Sequence, residues 1–215
     1  MEPIYIKNFL PEVLLNFIYS YCVIHYSSPS SVKIDVMDFQ TNSLISRYSD
    51  PVMETLMDMS TPVIEQNLNK KLFPTNSFFR IYDKGATLPI HIDRTAAEYT
   101  VALCIGADPV DMPYEIFVGE KDNTSDYKFF YDRDHHTDLD MAGKFGRTKI
   151  THKFSMLPND ALIFKGSEKL HWREYCEHDH YVTVFLHYVD QDGPFKDYKF
   201  DKREGLGYPI LIKNN

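Results

Sequence analysis

From Ser77 to Val189 the chain repeats one pattern, a short run of aromatic and β-branched residues followed by a turn rich in Pro, Gly, Asn or Asp. The runs are Ser77 to Tyr82, Tyr99 to Ile105, Glu115 to Val118, Tyr127 to Tyr131, Lys149 to Ser155, Ala161 to Phe164 and Tyr181 to Val189. Such runs predict strands, and so many in succession predict an all-β sandwich or jelly roll. The last run is the most informative. Side chains alternate faces along a strand, so Tyr181, Thr183, Phe185 and His187 share one face while Val182, Val184, Leu186 and Tyr188 share the other. The second set is almost wholly apolar and suits packing under helices, which leaves the first to line the interior.

Helices are expected upstream. A short strand at Ile4 to Ile6 precedes a helix opened by Pro11, with Val13, Leu14, Phe17, Ile18, Tyr21 and Ile24 forming an apolar stripe for the core. Ser27 to Ser31 reads as a loop, and Lys33 to Phe39 as a candidate edge strand. A second helix starts with Asp50 as N-cap and Pro51 at its first position, with Val52, Leu56, Met59 and Val63 along one face. Met53, Met57 and Met59 read as core rather than as a binding surface. Pro62 either kinks this helix or begins another capped by Thr61. The expected organisation is one domain over 1–215, with 1–75 as helical support and 76–190 as the β core. Residues 119–147 form a long charged insertion, a candidate lid or a decorated hairpin.

With 215 residues and 43% hydrophobic composition, a sizeable core is available. The net charge of −8 lacks the excess of Lys and Arg that gripping a phosphate backbone needs, so nucleic acid is a poor substrate candidate. Cys22, Cys104 and Cys176 are few and widely spaced, which points away from a disulfide framework or thiolate zinc cluster and toward a reducing, cytoplasmic setting. No apolar run is long enough to span a membrane.

The candidate chemistry lies in Leu88-Pro89-Ile90-His91-Ile92-Asp93. On an extended backbone His91 and Asp93 face one way and Ile90 and Ile92 the other. With 9 His in the chain, chance alone supplies about one His-x-Asp pair, so the pair by itself says little. A second one, His136-Thr137-Asp138, sits in a polar run that reads as a solvated loop. What distinguishes the first is His171, which follows the buried-strand pattern Asn159 to Phe164. Two histidines and one carboxylate on one side of a divalent iron leave positions open for a chelating co-substrate and oxygen. Trp172 is expected to pack beside this site, His152 to be exposed on its strand, and His178 and His180 to lie in a surface turn.

The order Tyr82-x-x-Gly85, His91-x-Asp93, the Asn159 to Phe164 run and then His171 resembles the prolyl 4-hydroxylase-like branch of the iron(II)- and 2-oxoglutarate-dependent oxygenases, over roughly residues 76 to 190. The resemblance implies a double-stranded β-helix covered on one face by helices. It also implies His91, Asp93 and His171 as metal ligands, and a hydroxylase of a protein side chain or small molecule. Its cofactors would be iron(II) and 2-oxoglutarate, with ascorbate as a candidate addition. Tyr82 matches a tyrosine that contacts the co-substrate. The Lys or Arg that the resemblance implies nine to eleven residues after His171, for the far carboxylate of 2-oxoglutarate, is absent: those positions hold His180, Tyr181 and Val182. A buried carboxylate needs a partner, so Arg173 is the preferred anchor, Arg94 the alternative, and Arg80 or the interior-facing Thr183 and His187 the reserves. A metal-binding jelly-roll or cupin-like module without turnover, or a zinc hydrolase on the same ligands, remains open.

Overall fold

The computed structural model describes residues 1–27, 45–120 and 150–208. In chain order its elements are β1 (Ile4–Ile6), α1 (Glu12–Ser27), β2 (Ile45–Tyr48), α2 (Pro51–Leu68), β3 (Leu72–Asp83), β4 (Leu88–His91), β5 (Tyr99–Asp108), β6 (Tyr114–Glu120), β7 (Ile150–Met156), β8 (Ala161–Phe164), β9 (Lys169–Arg173) and β10 (His180–Asp190). The larger sheet runs β1-β8-β5-β10-β3-β2 and the smaller β4-β9-β6-β7, with every pair antiparallel. From β3 onward the chain passes back and forth between the two sheets, which makes this a jelly roll of the double-stranded β-helix type. The expected edge strand at Lys33 to Phe39, the strand at Tyr127 to Tyr131, the His136-Thr137-Asp138 pair and nearly all of the 119–147 insertion lie outside the described residues.

Period-two alternation splits the larger sheet into two faces as anticipated. Phe79, Ile81, Val101, Leu103, Ile163, Val182, Val184 and Leu186 pack against the helices, joining Ile18, Cys22, Met53, Leu56, Met57 and Ile64. Tyr82, Ala102, Cys104, Leu162, Phe164, Tyr181 and Phe185 fill the space between the sheets with Ile116 and Val118 of β6. Each fully buried Leu, Ile or Phe contributes about 1.5–3 kcal/mol, so the two cores hold the sheets and helices together without help from the polar residues of the interior.

The helices form where expected but bury different strips. On α1, Val13, Phe17 and Ile24 are exposed at 79%, 57% and 67%, while Ile18 and Cys22 are buried and Leu14, Leu15, Tyr19 and Tyr21 pack partly. The reason is polar. The Tyr19 hydroxyl bonds His180 Nε2 at 2.6 Å and the Tyr21 hydroxyl donates to Asp50 Oδ2 at 2.6 Å, so two ring ends set the helix rotation. Tyr19 also lies over Gly106, where an added Cβ would stand 2.3 Å from its ring. Asp50 caps α2 by accepting from the amides of Val52 (3.0 Å) and Met53 (3.4 Å), a contribution of about 1 kcal/mol. Pro62 does not start a new helix: α2 runs through it to Leu68, and Thr61 bonds back to Met57 O at 2.9 Å rather than capping. Its buried face is Met53, Leu56, Met57, Ser60 and Ile64, with Met59 and Val63 outside.

That face also buries Glu54, at 1% exposure, against a C-terminal segment that returns across the sheet edge. Arg203 donates to Glu54 and, at 3.0 Å, to Thr75 O, and the Gly207 amide donates to the same carboxylate. Removing one partner of such a pair leaves a charge buried and alone. Arg203→Ala is therefore expected to lower unfolding free energy by about 3–5 kcal/mol, read from urea midpoints at unchanged slope. A loss below 1 kcal/mol would mean that water reaches Glu54. No described helix is long and apolar enough to cross a membrane.

Candidate metal centre

β4 and β9 are neighbours in the smaller sheet, and their register sets His91 directly opposite His171. Asp93 follows just past the end of β4, its amide tied to Gly166 O at 2.8 Å. One ligand atom from each of the three residues falls within 4.8 Å of the others, and among the described residues no other group of three His, Cys, Asp or Glu converges so. Asp93 Oδ1 stands 3.6 Å from His91 Nε2 and 3.4 Å from His171 Nε2.

The histidine tautomers follow from their outer contacts. His91 Nδ1 faces Pro89 O at 2.7 Å and His171 Nδ1 faces Lys169 O at 3.0 Å. A carbonyl only accepts, so each Nδ1 carries the proton and each Nε2 presents a lone pair toward Asp93. Burial, and next the neighbouring His171, pushes His91 down from its ordinary value. Burial raises Asp93, yet charge and hydrogen bonding from the His171 and His91 rings, when a proton rather than a metal sits at their Nε2, outweigh it and hold the carboxyl well below the usual range. A divalent cation that takes the place of those protons meets three lone-pair donors, neutral, neutral and anionic.

Two residues with no obvious signal in the sequence complete the carboxylate's setting. Thr100 donates to Asp93 Oδ2 at 2.6 Å, which leaves Oδ1 for the metal. A Cβ on Gly166 would lie 2.2 Å from both Asp93 Oδ2 and Thr100 Oγ1, so only glycine permits the approach. Alternation with Val101 and Leu103 could have placed Thr100 on the interior face, but nothing in the sequence pairs it with Asp93. Gly166→Ala must displace this pair, and a fall of about 10–100-fold in Mn(II) affinity is expected by titration. Unchanged affinity with a native fold would show that the carboxylate needs no such fixing.

The other anticipated residues separate into two groups along β10. At its start, Arg173 is 1% exposed and its guanidinium lies 4.8–5.8 Å from the rings of Tyr114, Tyr181 and Tyr82. Nη1 donates to Tyr114 O (2.9 Å) and Glu115 O (3.2 Å), while Nε and Nη2 are buried with no partner. Thr183 Oγ1, two residues further along β10 from Tyr181, is likewise buried without one. Tyr82 is buried and receives a 3.4 Å hydrogen bond from Arg80, whose guanidinium lies over Phe78, Tyr82 and Phe185.

At the other end, Arg94 is occupied. The chain turns after Asp93 into a short 3-10 turn (Thr95–Ala97), and the Arg94 guanidinium donates to both oxygens of Asp201 and, at 2.8 Å, to Asn76 Oδ1. Tyr48 donates to the same Asp201 carboxylate. His187 is half-buried, with Nδ1 at 3.0 Å from Asn76 Nδ2, and burial pushes it down to about 4, so it is neutral at physiological pH. Four expectations fail. Trp172 lies on the opposite face of β9 from His171, stacked on Phe117 at 5.3 Å, because successive strand residues alternate. His178 is not a surface residue: it is 1% exposed, hydrogen-bonded to Met112 O at 2.7 Å. His180 is half-buried under α1 through its bond to Tyr19. His152, expected exposed, is partly covered and paired with Glu2 at 2.8 Å.

No protein-family profile and no curated protein sequence matches the chain. Solved structures do. A Pseudomonas putida prolyl-4-hydroxylase superposes with a TM-score of 0.56 at 13% identity, covering 87% of this chain and 92% of that one. EctD from S. alaskensis, solved with 2-oxoglutarate and 5-hydroxyectoine, gives 0.59 at 12% identity over 94% and 80%. SnoN, a non-heme α-ketoglutarate-dependent epimerase from nogalamycin biosynthesis, gives 0.61 at 11% identity over 97% and 87%. At these identities the likeness is one of fold.

Proposed function

We infer that this chain is an iron(II)- and 2-oxoglutarate-dependent oxygenase of the double-stranded β-helix class. The observation that carries the reading is the convergence of His91, Asp93 and His171 inside a fold shared with such enzymes. Two neutral imidazoles and one carboxylate suit iron(II) and leave half of an octahedron free. Bound iron and co-substrate would supply oxidative decarboxylation, yielding succinate and carbon dioxide and oxidising a carbon of a prime substrate.

The interior also fits the co-substrate. Nε and Nη2 form the side-on edge of a guanidinium, the edge that holds a carboxylate through two parallel hydrogen bonds, and on Arg173 that edge is unpaired in a buried place. Thr183 offers a buried hydroxyl nearby. We assign the distal carboxylate of 2-oxoglutarate to Arg173, assisted by Thr183, with the Tyr82, Tyr114 and Tyr181 rings excluding water around it. Arg94, whose guanidinium is held by Asp201 and Asn76, is the weaker candidate. A zinc hydrolase or a silent binding module gives no reason for a buried, half-satisfied arginine two residues beyond the distal histidine.

A protein side chain of the prolyl type or a small molecule is the prime substrate this reading favours, the compared enzymes including a prolyl hydroxylase and small-molecule enzymes. The free thiols Cys22, Cys104 and Cys176 support a reducing, cytoplasmic setting, and the net charge of −8 weighs against nucleic acid. The test is succinate release from 2-oxoglutarate with iron and oxygen, first without a prime substrate, then across a panel of candidates, each with and without ascorbate. Iron binding without any succinate under aerobic conditions would favour the binding module; iron-independent hydrolysis with zinc would favour the hydrolase.

A further inference from the structure

The polar chain beside the triad determines where one proton sits. Arg94 has only donors, so the atom of Asn76 that it meets at 2.8 Å is the carbonyl oxygen, and the Asn76 amide cannot be flipped. The other end of that amide, Nδ2, is then a donor, and it faces His187 Nδ1 at 3.0 Å. Nδ1 must accept, which puts the His187 proton on Nε2, at the far edge of the ring. Among the described residues Nε2 has no hydrogen-bond partner, and His187 keeps part of its surface open.

The register fixes where this donor lies. His187 stands opposite Thr100, the residue that holds Asp93, whereas Tyr181, in the Arg173 cage, stands opposite Tyr82 and Ala107. Six residues of strand separate the Cα atoms of His187 and Tyr181 by roughly 20 Å. His187 is therefore beside the metal ligands and at the end of β10 away from the proposed co-substrate anchor. It is also the end at which Arg94, Asp201 and Tyr48 gather.

We propose that His187 Nε2–H is a catalytic-site donor for an acceptor oxygen of the prime substrate, such as an amide or ketone carbonyl or a hydroxyl, and that Asn76, Arg94 and Asp201 are positioning residues that keep its proton there. A fixed N–H donor cannot hold a substrate ammonium, so the end of the site at the metal selects for an acceptor oxygen. The return of the C-terminal segment serves this arrangement. Phe200, Asp201 and Lys202 are three successive non-glycine residues in the left-handed region, at φ of 51°, 55° and 61°, a conformation kept only where contacts hold it. The contacts that hold it include those of Asp201 with Arg94 and Tyr48 and of Arg203 with Glu54 and Phe200 O.

The substrate assignment rests on the oxygenase reading; the proton assignment does not. Nitrogen-15 NMR of the Zn(II)-loaded protein is expected to show His187 as the Nε2–H tautomer. In Asn76→Asp the carboxylate can only accept, so it takes the proton on Nδ1, and the Nε2 resonance moves from the pyrrole-type to the pyridine-type range. A purely structural Asn76 would leave the tautomer in place. N-methylacetamide, titrated into the Zn(II)- and 2-oxoglutarate-loaded protein, is expected to shift the Nε2–H resonance in the native chain and not in Asn76→Asp, whereas methylammonium shifts it in neither. An Nδ1–H tautomer in the native protein, no response to the amide, or an equal response to methylammonium would overturn the proposal. Failure of 2-oxoglutarate to give a charge-transfer band with anaerobic iron(II) would instead overturn the oxygenase reading and leave the tautomer result standing.

Discussion

Asp93→Ala is expected to abolish stoichiometric iron binding and succinate release while leaving the fold intact. The carboxylate contributes the only negative charge among the three ligands, and without it two neutral imidazoles face a dication alone. The loss in affinity is expected to exceed the roughly 100-fold that follows from removing an outer partner of a ligand. Asp93→Asn tests the charge at constant shape and is expected to fail equally. Thr100 donates to Oδ2, so an amide would give its oxygen to that hydroxyl and turn its NH2, which has no lone pair to offer, toward the metal. Folding depends on the two apolar clusters, neither of which includes Asp93. The measurement is thermal unfolding with and without Mn(II). At 100 times its dissociation constant a metal stabilises by about 2.7 kcal/mol, and that increment is expected in the native chain and absent from Asp93→Ala, His91→Ala and His171→Ala. A variant that kept the increment would remove its residue from the ligand set.

Strand faces were legible in the sequence because alternation is a local rule that a buried sheet enforces. Val182, Val184, Leu186 and Tyr188 lie under the helices, and Tyr181 and Phe185 between the sheets, for that reason alone. The triad was legible in the order and spacing of its motifs. What escaped depends on polar partners far apart in the chain. Arg94 meets Asp201 across 107 residues, Glu54 meets Arg203 across 149, and Tyr19 meets His180 across 161. No periodicity encodes such a pair, yet each one decides a rotation or a burial that hydrophobicity misassigns. The stripe expected on α1 is displaced by two tyrosine hydroxyls, and the face expected on α2 by a buried glutamate. Arg94, which looked available for an anion, is held on the side where Asp201 arrives from the C-terminal segment.

Arg173 decides whether the co-substrate assignment is right, and the informative substitution there is methionine. Arg173→Ala would empty a space bounded by three tyrosine rings and leave the carbonyls of Tyr114 and Glu115 without their donor, so a loss of binding could come from collapse of the cage. Methionine also removes the donor to those two carbonyls, but it fills most of the volume with a flexible apolar chain, so the charge and the fork are lost without emptying the cage. A charge-assisted hydrogen bond contributes about 1.5–3 kcal/mol, so Arg173→Met is expected to weaken 2-oxoglutarate binding by roughly 10- to 150-fold. Iron affinity is expected to change little, because the cage lies beyond His171 and touches none of the ligand atoms. Arg173→Lys keeps the charge without the parallel donors and is expected to recover only part of the loss. Arg94→Ala is expected to leave the affinity for 2-oxoglutarate near the native value, since its guanidinium serves Asp201 and Asn76. The measurement is titration of 2-oxoglutarate into the anaerobic iron(II) protein, followed by the metal-to-ligand charge-transfer band. Native affinity in Arg173→Met together with a large loss in Arg94→Ala would move the anchor to Arg94, against the hydrogen bonding seen. Native affinity in both would leave Thr183 and Tyr82 as the groups that hold the carboxylate, and Thr183→Val would then be the variant that loses it.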